Sequence, residues 1–401
     1  MIQVHEALET ILSRIEYKGT EKIPIDLTLG RVLREDIVAR RPNPPMDNSA
    51  MDGYALISED VKSATFWNPV PLDVCDEIAA GHVGSETIQR GQAARIMTGA
   101  PIPPGADSVV MQEDTEKKGS KILVKDKTEV GENIRLAGED VEEGEVIIQK
   151  GCVIQPVHVG MMAVVGRSSV YVSQQPIVAI LSTGDEIKDL DENPQGPCIY
   201  NSNGYMLSAQ VRSAGAVPVY LGIAPDQEEA LRQKFRDALK CDIVLSSGGV
   251  SVGDYDLVQS SLDQMGREMA FWKVAMKPGK PLAFGHIGDR PIFGLPGNPV
   301  SSFVSFEQFV RPSLKKMMGA SQLTAKTVKA RLTKTVRKKA GRLYFMSAAL
   351  EDENGELEVT PNAEQGSGIL KSMIHADGLM VFPLEASEMA KGDMVSVQIL
   401  N

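Results

Sequence analysis

The sequence predicts a multidomain protein that combines a central, mostly parallel α/β domain with smaller β domains. Over residues 177–318, short apolar strand-like runs alternate with helix-like segments, a pattern typical of a mostly parallel sheet with helices on both faces. Residues 70–124 and the segment from 326 onward contain short apolar runs separated by turn residues, which predicts β structure. A length of 401 residues allows about two to four domains, each with its own core.

The N-terminal part of the chain predicts a discontinuous first domain. Val4, Leu8 and Ile11 fall on one face of a helix, which therefore needs a packing partner. A short apolar helix beginning at Pro156 is the natural partner, and if the two pack, the β segment between them is an insertion. We therefore expect an N-terminal domain at 1–24 and 138–174, a small, mostly β domain at 25–137, the α/β domain at 175–322 and a C-terminal, β-barrel-like domain at 323–401.

Composition excludes several classes of protein. Hydrophobic residues make up 42% of the chain and charged residues 24%, as in soluble globular proteins. The net charge of −11 argues against a general nucleic-acid binder. Acids near the N-terminus, and no apolar run long enough for a membrane span, predict a cytoplasmic protein. The 4 cysteines form no C-x-x-C pair, so neither a zinc site nor a disulfide framework is expected.

A glycine-rich loop is the most informative stretch of the α/β domain. The sequence LSSGGVSVGDYD (245–256) follows a strand-like run and precedes a helix-like segment, which presents backbone N–H groups to an anion. It matches neither the dinucleotide fingerprint nor the P-loop, because Asp254 stands where a P-loop needs lysine. The loop therefore predicts a phosphate and metal site, with an ordinary strand-to-helix turn as the alternative.

Polar residues also follow the other predicted strands of this domain. They are Glu186, Asp226, Lys273, Lys277, Lys280 and Pro296-Gly297-Asn298. Ligands of open α/β sheets bind at the carboxyl ends of the strands, so we expect these residues to converge there. Carboxylates and lysines together suit an anionic, phosphate-bearing ligand bridged by a hard cation such as Mg²⁺. Taken singly, each lysine is more often a solvated charge and each aspartate a helix cap.

Outside the α/β domain the residue types give weaker signals. The proline-rich loop that contains Asp52 and the acidic turn that contains Asp140 are typical of solvated surface loops. Thr98 opens a stiff double turn that would hold its hydroxyl in place. Ser367 lies in a glycine-flanked loop whose role the residue types do not define.

Ordered segments along almost the whole chain carry a family resemblance. They are DNSAMDGYA, RIMTGAPIPPGAD, AGEDVEEG, LSTGDEI, SSGGVSVGDYD, KPGKPLAFG and LPGNPVSS. In this order they resemble the molybdopterin molybdenumtransferases, bacterial relatives of the C-terminal part of gephyrin. The resemblance implies an enzyme of the last step of molybdenum cofactor biosynthesis. Such enzymes take adenylylated molybdopterin and molybdate, insert the metal and release AMP in a Mg²⁺-dependent hydrolysis.

The resemblance also implies an assembly and a set of site residues. Family members are elongated homodimers of four-domain subunits, with a cleft between the α/β domain of one subunit and the small β domain of the other. Position by position, the implied catalytic residues are Asp52, Thr98, Asp140, Glu186, Lys273 and Lys277. The implied binding residues are Ser247, Gly248, Gly249, Ser251, Gly253, Asp226, Asp256, Lys280, Pro296, Gly297, Asn298 and Ser367. The candidate metal ligands, among which the choice stays open, are Glu186, Asp226 and Asp256.

Two alternatives to the insertion enzyme remain at this point. Molybdopterin adenylyltransferase shares a similar glycine-loop α/β fold, although the surrounding domains here match the insertion enzyme. A non-catalytic molybdopterin-binding or scaffold protein would bind the ligand without turnover. Gephyrin has an additional adenylyltransferase domain for which this chain has no sequence, so receptor anchoring is not implied. Other proteins of cofactor biosynthesis are candidate partners, and the choice between molybdate and tungstate stays open.

Overall fold

The computed structural model describes residues 1–193, 196–225, 227–248 and 257–400. The chain forms two compact units. The larger unit comprises residues 1–35, 150–154 and 170–401, and the smaller unit comprises residues 36–149 and 155–169. The finer division into four domains stays a prediction.

A mixed sheet forms the centre of the larger unit. Within the described residues its six strands lie in the order Val217–Ala224, Ile177–Thr183, Ile243–Ser247, Arg290–Leu295, Pro281–Ile287, Glu268–Lys273. The first four are mutually parallel and the last two are antiparallel to their neighbours. This confirms the mostly parallel α/β prediction. The sequence did not predict the strand Pro281–Ile287, which begins with a proline and forms a tight hairpin with the next strand through the pairing of Ile287 with Arg290.

Helices cover both faces of this sheet, as predicted. They are Ser202–Ser213, Glu228–Ala238, Leu257–Gln264 and a helical segment formed by Pro299–Ser305, a π turn at Phe306–Val310 and Arg311–Met317. Alternate residues of the strand Ile177–Thr183 point to opposite faces: Val178 packs in one core with Leu207, and Ala179 packs in the other with Phe235.

The N-terminal helix, Val4–Ser13, belongs to the first of these cores. Its buried residues Ala7 and Ile11 share the core with Phe306 and Leu314 of the helical segment. The apolar face identified in the sequence is therefore buried. The helix suggested as its partner, Pro156–Val164, belongs to the smaller unit.

A closed barrel forms the C-terminal part of the larger unit, as the sequence suggested. Among the described residues, its five strands follow one another in the order Leu343–Glu353, Glu356–Pro361, Thr327–Leu332, Met394–Ile399, Gly378–Phe382. The last strand pairs with the first and closes the barrel, which leaves no free sheet edge. Met276–Lys277 pairs with Leu343–Glu353 and ties the barrel to the lysine-rich segment.

The chain also forms short two-stranded sheets. In these, Thr20–Pro24 pairs with Ser169–Ser173, Ile187–Lys188 with Ile199–Tyr200, and Val336–Arg337 with Glu388–Met389.

The smaller unit, all of whose residues are described, is mostly β. Its main sheet has the strand order Ser108–Met111, Gly53–Leu56, Gln92–Ile96, Val70–Ile78, Lys121–Val124, Thr115–Lys118. Short strands pair as Asn48–Ser49 with Ile134–Arg135 and Ile37–Val38 with Val146–Ile148.

Short 3₁₀ turns occur in both units, at Ile25–Leu27, Ser58–Val61, Gln112–Asp114 and Leu370–Met373. In the described part of the chain, no helix combines the length and apolar character needed to cross a membrane.

Candidate functional site

The carboxyl ends of the parallel strands bring several predicted site residues to one edge of the central sheet. Ser182 is in register with Ser247, and Ser247 is in register with Leu295. The loops that follow these three strands therefore start side by side. At the same edge, Lys273 ends an outer strand opposite Pro281, and the carbonyl of Lys280 accepts a hydrogen bond of 3.0 Å from the N–H of Val274.

Gly248 lies where three of these segments meet. Its φ of +93° is in the left-handed region, and a Cβ atom would lie 2.6 Å from the carbonyl oxygen of Thr183. Its N–H donates to the Leu295 carbonyl at 3.2 Å. A Cβ atom on Gly297 would lie 4.0 Å from the Gly248 Cα. Only glycine fits here without rearrangement, because a Cβ atom would collide with the Thr183 carbonyl. Close approach of a ligand to this backbone stays a prediction.

The rest of the glycine loop lies outside the described residues. The predicted site residues Gly249, Ser251, Gly253 and Asp256 of this loop, and Asp226 elsewhere in the chain, are not described. Their roles in binding and in metal coordination stay predictions.

Two asparagines at the start of the helix Ser202–Ser213 connect the strand ends, and the sequence analysis missed both. Asn201 caps the helix by accepting from the Gly204 N–H at 3.0 Å. Its Oδ1 also accepts from the Ser182 hydroxyl at 3.0 Å, and its Nδ2 donates to the Tyr220 hydroxyl at 2.6 Å. The preference of asparagine for helix N-caps could have identified it.

Asn203 makes longer-range contacts. Its Nδ2 donates to the Ser247 hydroxyl at 2.9 Å and to the Gly297 carbonyl at 2.7 Å. The side chain thus bridges the strand before the glycine loop and the loop that contains Gly297. Because these partners lie 44 and 94 residues away in the chain, no local signal could have found the contact.

The loop at Pro296-Gly297-Asn298 is also joined to the predicted Ser367. The Asn298 side chain donates to the Ser367 hydroxyl at 3.2 Å. The Val300 N–H donates to the Ser367 carbonyl at 3.1 Å. The structure therefore brings the Ser367 loop to the same edge as Gly248.

The predicted lysines differ in their surroundings. Lys277 and Lys280 are exposed, and Lys273 is half-buried. The Lys277 ammonium lies 5.1 Å from the centre of the Tyr344 ring, a cation–π contact that orients the side chain. Lys338, part of a basic run in the barrel, contacts the same ring at 4.8 Å, and burial lowers its pKa. Because it also donates to two backbone carbonyls, Lys338 has a structural role.

Glu186 is the one predicted metal ligand within the described ranges. Its exposed carboxylate approaches Gly184 so closely that a Cβ there would lie 2.6 Å from Oε2. A carboxylate is the kind of hard oxygen ligand that Mg²⁺ prefers. No group of three His, Cys, Asp or Glu side chains among residues 1–193, 196–225, 227–248 and 257–400 could hold a metal ion. Since the other two predicted ligands lie in the gaps, the predicted set stays a prediction.

The smaller unit holds the predicted residues Asp52 and Thr98 together. The Asp52 Oδ1 accepts from both the N–H and the hydroxyl of Thr98, each at 2.7 Å. The backbone bond, then the hydroxyl bond, and to a smaller extent the charge of Arg95 lower the pKa of Asp52. The Asp52 carboxylate thus fixes the Thr98 hydroxyl, and the two bonds in turn favour the ionised form of this exposed carboxylate.

Asp140 lies on a neighbouring turn that is bonded to the same segment. Its Oδ2 accepts from the Asn43 side chain at 2.9 Å, and its N–H donates to the Asn43 carbonyl at 3.1 Å. The carbonyl of Ser49, between Asn43 and Asp52 in the chain, accepts from the Gly99 N–H at 2.8 Å. A cleft of about 530 Å³ is lined by Asn43, Pro44, Asn48, Arg135, Glu139 and Asp140. Its polar lining was not anticipated from the sequence.

Comparison with known proteins covers the whole chain. Three family models match in succession: the MoeA N-terminal region (domain I and II) at residues 2–166, a probable molybdopterin binding domain at 179–316, and the MoeA C-terminal region (domain IV) at 329–400. The molybdopterin molybdenumtransferase of Bacillus subtilis is 34% identical over 404 residues, covering 100% of this chain and 94% of the relative.

Two further relatives agree with this assignment. Molybdopterin molybdenumtransferase 2 of Mycobacterium tuberculosis H37Rv is 37% identical over 383 residues, covering 94% of each chain. The crystal structure of the molybdopterin biosynthesis moeA protein from Pyrococcus horikoshii OT3 superposes with a TM-score of 0.85 at 33% identity, covering 100% of both chains. The chain therefore belongs to the molybdopterin molybdenumtransferase family.

Proposed function

We propose that this protein transfers molybdenum from molybdate to adenylylated molybdopterin with release of AMP, the last step of molybdenum cofactor biosynthesis. The observation that carries the proposal is full-length identity of 34% to a relative named molybdopterin molybdenumtransferase. An adenylyltransferase or a non-catalytic scaffold is not favoured, because the similarity includes the smaller unit and the barrel as well as the α/β part.

The edge of the central sheet is the proposed binding place for the phosphate-bearing substrate. The loops after three parallel strands start side by side there, and ligands of open α/β sheets bind beyond such strand ends. The exposed ammonium groups of Lys277 and Lys280 supply positive charge on the same side. In a protein with a net charge of −11, such local charge is what makes binding of an anion favourable.

In the smaller unit, Asp52 is the proposed carboxylate that orients a reacting water molecule. Thr98 donates two hydrogen bonds to one carboxylate oxygen, which leaves the other oxygen to orient a water molecule by accepting its hydrogen bond. Asp140, whose orientation is fixed by Asn43, is the proposed second carboxylate.

We propose that Glu186, Asp226 and Asp256 hold Mg²⁺, which when bound would offset the negative charge of the substrate phosphates. Their oxygen donors fit this hard cation. AMP release is expected to stop in excess EDTA and to return on addition of Mg²⁺. Full turnover in EDTA would contradict the metal requirement.

A homodimer, a cytoplasmic location and the four-domain division predicted from the sequence are part of the same proposal. The family resemblance supports the dimer, and light scattering tests it directly. A monomer at the concentration of the activity assay would contradict it.

The reaction is tested by measuring AMP release from adenylylated molybdopterin with Mg²⁺, with and without molybdate. Wild type is compared with Lys277→Ala and with Lys329→Ala, which removes a lysine of the barrel outside the predicted site. We expect molybdate-dependent release that is impaired in Lys277→Ala and unchanged in Lys329→Ala. Binding without release would favour the scaffold, and ATP-dependent adenylylation of molybdopterin would favour the adenylyltransferase.

A further inference from the structure

The Asn203 side chain joins two segments of the proposed substrate site that are distant in sequence. The residue is buried, with 7% of its surface exposed. Its amide nitrogen uses both hydrogens, one toward the Ser247 hydroxyl and one toward the Gly297 carbonyl. Ser247 immediately precedes Gly248, and a Cβ atom on Gly297 would lie 4.0 Å from the Gly248 Cα. Asn203 therefore links the two segments that come together at Gly248.

The orientation of this amide follows from the chemistry of its partners. A backbone carbonyl only accepts hydrogen bonds, so the atom 2.7 Å from the Gly297 oxygen is the amide nitrogen. The Oδ1 atom is buried and has no hydrogen-bond partner among the described residues. A buried carbonyl without a partner is unfavourable. The favourable contacts that the structure describes for this side chain are therefore the two bonds that its amide nitrogen donates.

Attachment of the helix to the sheet does not require Asn203. Asn201 already caps the helix and binds Ser182 and Tyr220. Further along, Leu207 and Val211 are fully buried in the core. The contacts of Asn203 are thus additional to those that fix the helix. They connect the segment at Ser247–Gly248 with the loop that contains Gly297.

We propose that Asn203 is a positioning residue that holds the segments at Ser247–Gly248 and at Gly297 at the separation the substrate requires. This rests on the proposed function. Without the two donors, the loops sample a wider range of separations, and substrate binding must restrict them. Loss of Asn203 therefore weakens substrate binding more than it slows the subsequent chemistry.

The first test compares KM for adenylylated molybdopterin in wild type, Asn203→Ala and Ser208→Ala. Ser208 is a buried residue of the same helix whose hydroxyl bonds within the helix, to the Gly204 carbonyl at 2.7 Å. Loss of one or two hydrogen bonds predicts a KM about threefold to tenfold higher in Asn203→Ala, with a smaller change in kcat. Ser208→Ala keeps the wild-type KM. A lower kcat at unchanged KM in Asn203→Ala, the sign of a smaller folded fraction, would overturn the proposal.

Asn203→Asp provides a pH readout. The ionised carboxylate cannot donate to the Gly297 carbonyl, whereas the protonated acid can, and burial raises the pKa of a carboxyl group. The KM of this variant should therefore fall toward the wild-type value as the pH is lowered. A constant ratio between the two KM values at all pH values would contradict the role of the donor.

Amide hydrogen exchange separates this inference from the proposed function, because it needs no turnover. We expect faster exchange over residues 243–248 and 295–299 in Asn203→Ala than in wild type or Ser208→Ala. If wild type releases no AMP, the proposed function fails while this expectation still holds. Unchanged exchange in Asn203→Ala would overturn the positioning role itself.

Discussion

Gly248 illustrates how much a single missing atom matters at this site. The residue has a left-handed backbone conformation and lies against the Thr183 carbonyl. Gly222, in the strand Val217–Ala224, has a similar φ of +80°, but no atom lies within 4 Å of the position that a Cβ would occupy there. Substitutions at these two glycines therefore distinguish the cost of backbone strain from the cost of a steric conflict.

Gly248→Ala is expected to be more destabilising than Gly222→Ala. The left-handed conformation alone costs an L-residue about 1–2 kcal/mol, and this applies to both variants. The conflict with Thr183 adds about 1–3 kcal/mol in Gly248→Ala. Urea unfolding measures the free energy of unfolding of each variant. If both variants lose the same free energy of unfolding, the Thr183 carbonyl moves away from the new Cβ atom without an energetic cost.

Thr98→Val is expected to raise the pKa of Asp52 while leaving it below the ordinary range. Valine removes the hydroxyl donor, but the backbone N–H, the larger cause of the depression, remains. Because the folded-state pKa is depressed, ionised Asp52 favours the folded state above the ordinary aspartate pKa. This contribution is lost as the pH falls through the lowered value. A carboxyl NMR titration measures the shift.

Thr98→Ser, which keeps the hydroxyl, is the matched control and should titrate as wild type. If the pKa of Asp52 is the same in the valine and serine variants, the hydroxyl does not contribute to holding the carboxylate ionised.

A buried ion pair connects two helical elements of the larger unit. Arg311 and Glu307 are joined by hydrogen bonds of 2.6 and 2.9 Å, with side chains only 7% and 9% exposed. Gln210 and Ser213, on the helix Ser202–Ser213, bind the same pair at 2.7 and 2.9 Å. The helix that carries Asn203 is therefore fixed at its C-terminal end by a polar network.

Removing one partner of this pair should be far more damaging than removing both. Arg311→Met leaves a buried carboxylate without its counter-charge, and we expect a loss of about 3–5 kcal/mol. The double variant Glu307→Met with Arg311→Met buries no charge and should recover most of that loss. Chemical denaturation of the two variants and wild type gives the comparison. A double variant as unstable as the single one would show that packing, rather than the unpaired charge, sets the cost.

At the scale of elements, apolar periodicity predicted the parallel strands and their helices because their apolar side chains pack in the two cores on either face of the sheet. It did not predict the strand Pro281–Ile287, whose neighbour begins after only a tight turn. The edge that gathers Gly248, Lys273 and Gly297 followed from the rule that parallel strands end on one side. The Asn203 bridge did not, because it depends on a tertiary contact that no local pattern encodes.

For the whole molecule, the proposed activity requires more than the α/β part. The predicted residues Asp52, Thr98 and Asp140 belong to the smaller unit, and the glycine loop, the lysines and Ser367 belong to the larger unit. Family similarity extends over both units and the barrel.

In the proposed function, AMP release and metal insertion are one reaction. The most direct test incubates the protein with adenylylated molybdopterin, molybdate and Mg²⁺, and measures AMP by chromatography and molybdenum in the pterin product by mass spectrometry. We expect equal amounts of AMP and inserted molybdenum at every time point, and neither when molybdate is omitted. AMP released without molybdenum in the product would show that the two events are not one reaction.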